Sequence, residues 1–162
     1  MDNFYLQSFG KTMNGMIYHG DCVSAMSAIE EKSVHCIFSD PPYNTGKAKS
    51  KLPSYSKSES ITNQKWTDFN ASWDVIKDYW SFTKNWLHAA NRILVDDGSI
   101  WICASHHNLP IVTLALKEAG WWINQTVAWC KDNSFPNREL QQMTSANETI
   151  VWARKSKKTR HF

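Results

Sequence analysis

Residues 38–44 read FSDPPYN and follow an apolar run, 34–38, that has the length and composition of a buried strand. A carboxylate, two prolines and an aromatic ring in that order can do specific chemistry. An amine on an aromatic ring, such as N6 of adenine, has its lone pair drawn into the ring and needs acceptors for its N–H groups before it can attack a methyl group. Asp40 and the backbone carbonyl of Pro41 can each accept one such hydrogen bond. The prolines bring no opposing N–H, lock φ and force the residue before them to be extended, so the carbonyl direction is fixed. Tyr43 can offer a face on which a base outside its stack rests. The plain alternative is a Pro-Pro turn begun by an aspartate.

The elements that must position these residues alternate. Residues 16–19 form a short strand candidate, and Gly20-Asp21 leads into a helix carrying Val23, Met26, Ala28 and Ile29. Residues 34–39 form the second strand. The stretch 45–72 is polar and aperiodic and reads as a long loop, of the kind used for lids. From Trp73 the positions Ile76, Tyr79, Trp80, Trp86, Leu87, Ala90, Ile93 and Leu94 recur at helical spacing, with Asp96-Asp97-Gly98 as the stop. A strand at 99–104, a helix over 111–119 capped by Asn108 and ended by Gly120, and strands at 121–129 and 149–152 complete the order. Strands alternating with helices predict an α/β sheet whose ligands sit beyond the carboxyl ends of the strands, where both Asp21 and Asp40 fall.

At 162 residues the chain has the length of one domain with one core. Its nine tryptophans suit an aromatic core first and base-stacking surfaces second. The formal charge of +3 permits a nucleic-acid partner without demanding one. The positive charge is concentrated in 45–65, which holds Lys47, Lys49 and Lys51, and in the basic tail 154–160. Cys22, Cys36, Cys103 and Cys130 are widely spaced, show no metal-ligand pattern and read as free thiols of a reducing cytoplasm. His106 and His107 lack a third ligand, so no metal site is expected. No signal peptide opens the sequence, no apolar stretch is long enough to span a membrane, and no internal repeat is present.

Read together, IYHGDC (17–22), IFSDPPYN (37–44), NRILVDDGSIWI (91–102), SHHN (105–108), GWWINQTVAWCKDN (120–133) and TSANETIVWARK (144–155) resemble the N-terminal part of a β-class DNA N6-adenine methyltransferase of the DPPY type. The resemblance implies part of a Rossmann-like, S-adenosylmethionine-dependent α/β sheet with helices on both faces, incomplete in this chain. It implies S-adenosylmethionine as methyl donor and a flipped adenine in double-stranded DNA as acceptor. Carried over by position, Asp40, Pro41, Pro42 and Tyr43 would hold the adenine, Asp40 would also lie near the donor, and Asp21 would bond the cofactor. Lys131 and Asn133, with Trp129, match a W-x-K-x-N stretch at the family's active-site mouth, although Ser134 stands where proline is usual. Asn147 replaces a common histidine beside a matching Glu148. For all of these, scaffold and function are both open readings.

The glycine-rich F-x-G-x-G turn that such enzymes place against the donor is absent: the six glycines, at 10, 15, 20, 46, 98 and 120, never come within two residues of each other. The target-recognition segment is absent too. Residues 1–162 are therefore expected to be a partial catalytic domain: a fragment, one half of a split enzyme that joins a complementing C-terminal half or a second copy, or a non-catalytic DNA-binding remnant. An RNA or protein amino-group methyltransferase is the enzymatic alternative. The setting expected is bacterial or phage, in restriction-modification.

Overall fold

The computed structural model describes residues 15, 17–46, 49–53, 66–132, 134, 143 and 146–158. Met16, Lys47 and Asn133 lie outside the described residues. The elements are α1 (Cys22–Ser27), β1 (Val34–Ser39), β2 (Lys49–Pro53), β3 (Trp66–Asn70), α2 (Tyr79–Ile93), β4 (Leu94–Ala104), α3 (Leu109–Glu118), β5 (Trp122–Cys130) and β6 (Asn147–Arg154).

A four-stranded sheet runs in the order β1-β4-β6-β5. β1 and β4 are parallel, joined through α2, while β6 is antiparallel to both of its neighbours. The inward positions alternate as a strand requires: Ile100 and Ile102 on β4 face the core with their partners Ala153 and Val151 on β6, all fully buried. The helices answer at helical spacing, with Trp86, Leu87 and Ala90 of α2 and Val112, Ala115 and Leu116 of α3 buried in the same cluster, and Val23 and Met26 of α1 packed against it. Each such aliphatic side chain contributes about 1.5–3 kcal/mol by leaving water.

Local signals place several boundaries. Asp78 caps α2 by accepting from the Ser81 amide at 3.0 Å. Gly120, at φ +80°, ends α3 with its N–H and that of Trp121 donating to the carbonyls of Lys117 and Leu116.

Four expectations need correction. Residues 17–19 form no strand. Part of the polar stretch 45–72 is an antiparallel ribbon pairing β2 with β3, because backbone groups pair across the ribbon where no side-chain pattern announces it. Residues 72–74 form a 3₁₀ turn, and the α-helix begins only after Asp78. That helix also stops at Ile93, before the Asp-Asp-Gly signal. The chain enters β4 directly and passes Asp96-Asp97-Gly98 as an irregularity within the strand. Gly98 is required there: a Cβ would stand 2.6 Å from Leu94 Cγ and 2.9 Å from the His35 carbonyl oxygen.

The opposite side of the sheet is different. Trp101 and its cross-strand partner Trp152 stack at 5.0 Å and, with His35, Cys36, Val95 and Ser99, line a cavity of about 530 Å³ to which no described helix contributes. Phe38, the register partner of Trp101, is 65% exposed. Among the described residues, β1 has no neighbour on its second edge. Parallel strands are ordinarily covered on both faces, so the described helices supply one of the two layers that the resemblance implies.

Candidate active site at the end of the first strand

β1 delivers Asp40 at its carboxyl end, with Asp40 exposed, Pro41 buried and Pro42, Tyr43 and Asn44 partly buried. The corner is then tied from three directions. From α2, the hydroxyl of Tyr79 donates to the carbonyl oxygen of Pro42 at 2.6 Å. That hydroxyl accepts in turn from the Asn108 side-chain amide at 3.0 Å, and Asn108 Oδ1 accepts from the Ser105 amide at 2.7 Å. Asn108 thus stands at the N-cap position of α3, as its sequence context suggests, but its side chain makes no capping bond and braces Tyr79 instead. Burial pushes the Tyr79 phenol up, and the nearby charge of Asp74 adds to this.

The second tie is Asp74, only 6% exposed. Its carboxylate accepts from the Asn44 amide at 2.7 Å, the Thr45 amide at 3.0 Å and the Thr45 hydroxyl at 2.5 Å. Asn44 Oδ1 accepts from the Ile76 amide at 2.8 Å, which closes the latch from the other side. Asn44 adopts φ +53°, a left-handed conformation that asparagine tolerates better than most residues. Burial alone would raise the Asp74 carboxyl, but the hydrogen bonds from Thr45, Asn44 and Tyr43 outweigh it, and it lies below its ordinary value.

The third tie comes from β6. Tyr43 donates its hydroxyl to Glu148 Oε2 at 3.1 Å, and Glu148 Oε1 pairs with Lys131. Burial first, then the hydrogen bond and charge of Asp40 and those of Glu148, push the Tyr43 phenol far above its ordinary range. Burial, followed by the charges of Asp40 and Glu148, also raises the Cys103 thiol on β4. Both carboxylates therefore act on the same end of the sheet.

Asp40, Pro41 and Pro42 line a cavity of about 420 Å³ together with Gly20, Cys22 and Met26. Gly20 and Cys22, on either side of Asp21, thus share one cavity with Asp40-Pro41-Pro42, whose lining includes neither Asp21 nor Tyr43. The Asp21 carboxylate itself caps α1, accepting from the Ser24 amide at 2.9 Å. Of the lysines, Lys49 and Lys51 lie on β2 of the ribbon, and Lys131 is engaged by Glu148. His106 and His107 are exposed, with their rings tilted against each other at a centroid distance of 3.9 Å, and no group of metal-ligating side chains occurs among the described residues. Asp74 and Tyr79 were missed by sequence reasoning as site residues. Their only local signals, a short SWD and a helix-phase tyrosine, point to ordinary scaffold.

The chain thus forms an open α/β sheet with an antiparallel strand beside its parallel pair and an acidic Pro-Pro-Tyr corner where β1 ends. The model of the N6/N4-type DNA methylase family matches residues 34–162, and the chain belongs to that family. It is 36% identical over 163 residues to the type II methyltransferase M2.MboI of Moraxella bovis, covering 98% of this chain and 55% of that protein. It is 32% identical to M2.LlaDCHI of Lactococcus lactis subsp. cremoris, covering 92% and 54%. The chain therefore spans about half the length of the curated relatives it matches. Among solved structures, the PvuII DNA methyltransferase (cytosine-N4-specific) superimposes with a TM-score of 0.66 at 17% identity, over 95% of this chain and 54% of that one. A Thermus thermophilus DNA modification methylase complexed with S-adenosyl-L-methionine gives 0.54 at 17% identity, over 88% and 56%. The fold is the α/β fold of these DNA methyltransferases.

Proposed function

We propose that this chain is the amine-holding half of a β-class, S-adenosylmethionine-dependent DNA methyltransferase that modifies N6 of adenine in double-stranded DNA. The observation that carries the reading is the corner itself: Asp40 stands exposed at the end of β1, on a backbone whose next carbonyl but one, that of Pro42, is fixed by a buried tyrosine hydroxyl. In this reading Asp40 and the Pro41 carbonyl accept the two N–H groups of the flipped adenine, so that nitrogen lone-pair density is turned towards the incoming methyl group. Tyr43 stacks on the base. When bound, the donor supplies an electrophilic methyl group. The cavity beside Asp40 is lined by Met26, Ile37 and Phe82 with Gly20 and Cys22, a lining that suits a flat heteroaromatic ring such as the donor's adenine. The Asp21 turn would hold that ring, and the open rim at Asp40 would admit the substrate.

The whole enzyme's activity is proposed for the chain joined to a complementing half, in the same polypeptide or another. Among the described residues no helix lies on the aromatic side of the sheet and β1 has no neighbour on its second edge, and both support this, since such surfaces are costly to leave uncovered. Bacterial cytoplasm is the proposed setting. No helix among the described residues is long and apolar enough to cross a membrane. The same corner chemistry would serve N4 of cytosine, whose amine is conjugated in the same way.

The test is methylation of duplex DNA by the completed enzyme, with nucleosides resolved by mass spectrometry. N6-methyladenine is expected. N4-methylcytosine would replace the substrate, and no methylated base under saturating donor would overturn the reading.

A further inference from the structure

Glu148 lies on β6, 105 positions from Tyr43 in sequence, and uses its two oxygens on two different mouth residues. Oε2 takes the Tyr43 hydroxyl, whereas Oε1 takes the Lys131 ammonium, and the side chain is only 21% exposed. A tyrosine offered simply as a stacking plate needs no such partner. Its ring could swing about the Cα–Cβ bond, and its hydroxyl could point into water. Here the hydroxyl is anchored inwards and the ring is fixed at both ends, by the Pro42-Tyr43 backbone and by Glu148. Lys131 is fixed as well: its side chain by Glu148, its backbone N–H by the Ala146 carbonyl at 2.7 Å.

We infer that Glu148 is a positioning residue that sets the plane of the Tyr43 ring and neutralises itself with Lys131, so that a second carboxylate stands in the site without repelling DNA. The role rests on the reading that Tyr43 receives the base. A lone Glu148 would place a second negative charge near Asp40 and close to an incoming polyanion. Paired with Lys131, it keeps its acceptor function and loses most of its long-range field. The arrangement also gives Lys131 a structural duty in place of a free phosphate contact.

The test begins with the 162-residue chain alone, which needs neither DNA nor donor. Tyrosine is labelled at its ζ carbon, and Tyr43→Phe assigns the resonance among the five tyrosines. In the wild type the Tyr43 signal should hold its neutral shift to about pH 11, where an ordinary phenol with pKa about 10 is mostly ionised. In Glu148→Gln, which keeps an acceptor but removes the charge, ionisation should move to lower pH. In Glu148→Ala the Tyr43 shift at neutral pH should also change, with Tyr18 unmoved. Burial and Asp40 raise the Tyr43 phenol ahead of Glu148, so the comparison of the wild type with the variants decides. An unchanged Tyr43 in both folded variants would overturn the inference.

In the completed enzyme, Glu148→Ala should raise KM for DNA by about 10-fold, the loss expected for one charge-assisted hydrogen bond, with kcat changed less. Glu148→Gln should recover most of that. Loss of kcat alone would contradict positioning. Absence of methylation in every variant would count against the function proposed above, while the tyrosine signal still decides the role of Glu148.

Discussion

Replacing Asp74 with alanine tests how the corner is held. The carboxylate accepts three hydrogen bonds from Asn44 and Thr45 in a nearly buried setting. Hydrogen bonds to a charged group are worth about 1.5–3 kcal/mol each, which would give an upper bound near roughly 5–9 kcal/mol. Thr45 is exposed, however, so the freed amide and hydroxyl of that residue can turn to water. Only the Asn44 amide, partly buried, is left short of a partner. A local loss of about 2–3 kcal/mol follows, equivalent to roughly 30- to 150-fold in the opening equilibrium. Amide hydrogen exchange reads this directly: Asn44 and Thr45 should lose protection by that factor in Asp74→Ala, and Ile76 should follow because Asn44 no longer holds its side chain in place. The pH dependence has a definite sign. Since hydrogen bonding holds the folded carboxyl below its unfolded value of about 3.9, the contribution is complete above that pH and fades as pH falls through the folded value. Unchanged exchange at Asn44 and Thr45 in the variant would refute the latch.

Four further outcomes are expected. In the completed enzyme Asp40→Ala should lower kcat by at least about 10²-fold at saturating DNA and donor, the scale of one preorganised transition-state group, as read by single-turnover methylation. Tyr79→Phe strips Pro42 and Asn108 of their shared hydroxyl and should cost about 1–3 kcal/mol in denaturant unfolding; a smaller cost would mean that water replaces it. Replacing Lys47, Lys49 and Lys51 with glutamine should flatten the log–log salt dependence of DNA binding, whereas an unchanged slope would remove the ribbon from the DNA interface. The chain by itself should bind S-adenosylmethionine weakly in isothermal titration, and micromolar one-to-one binding by a monomer would show that residues 1–162 complete a donor site.

How much of this was legible in the sequence follows from how far apart the partners are. The DPPY corner is contiguous, so residue type and order sufficed to place it at the end of β1. The strand–helix order was legible for the same reason, since periodicity in α2, β4 and α3 is local. The ribbon of β2 and β3 was not, because a pairing made by backbone groups leaves little trace in a polar stretch. The start of α2 was misplaced because Ile76 falls in helical phase by coincidence, while the cap that decides the boundary is one aspartate, Asp78. The early stop at Ile93 was hidden by a conventional Asp-Asp-Gly signal that serves a close approach of β4 to His35 instead.

The braces were illegible for a further reason: each is a single long-range hydrogen bond or a small set of them. Asp74 reaches the corner across 29 and 30 positions, Tyr79 across 37 and Glu148 across 105. Nothing in the type of any one of these residues announces a partner. Their placement does have a consequence for how the domain is divided. Tyr79 and Asn108 are buried within the α2–α3 layer, and Glu148 sits on a strand that pairs on both sides. Asp74, Tyr79 and Asn108 hold the corner from the α2 and α3 side, whereas Glu148 shares its face of β6 with Ile150 and Trp152, the aromatic side of the sheet over which no described helix packs. Under the proposed function, the ties from Asp74 and Tyr79 can hold the corner before any complementing half arrives, while the tie from Glu148 lies on the face that such a half would cover. Protection of the Asn44 and Thr45 amides in the isolated chain, equal to that in a completed enzyme, is what this division of labour requires.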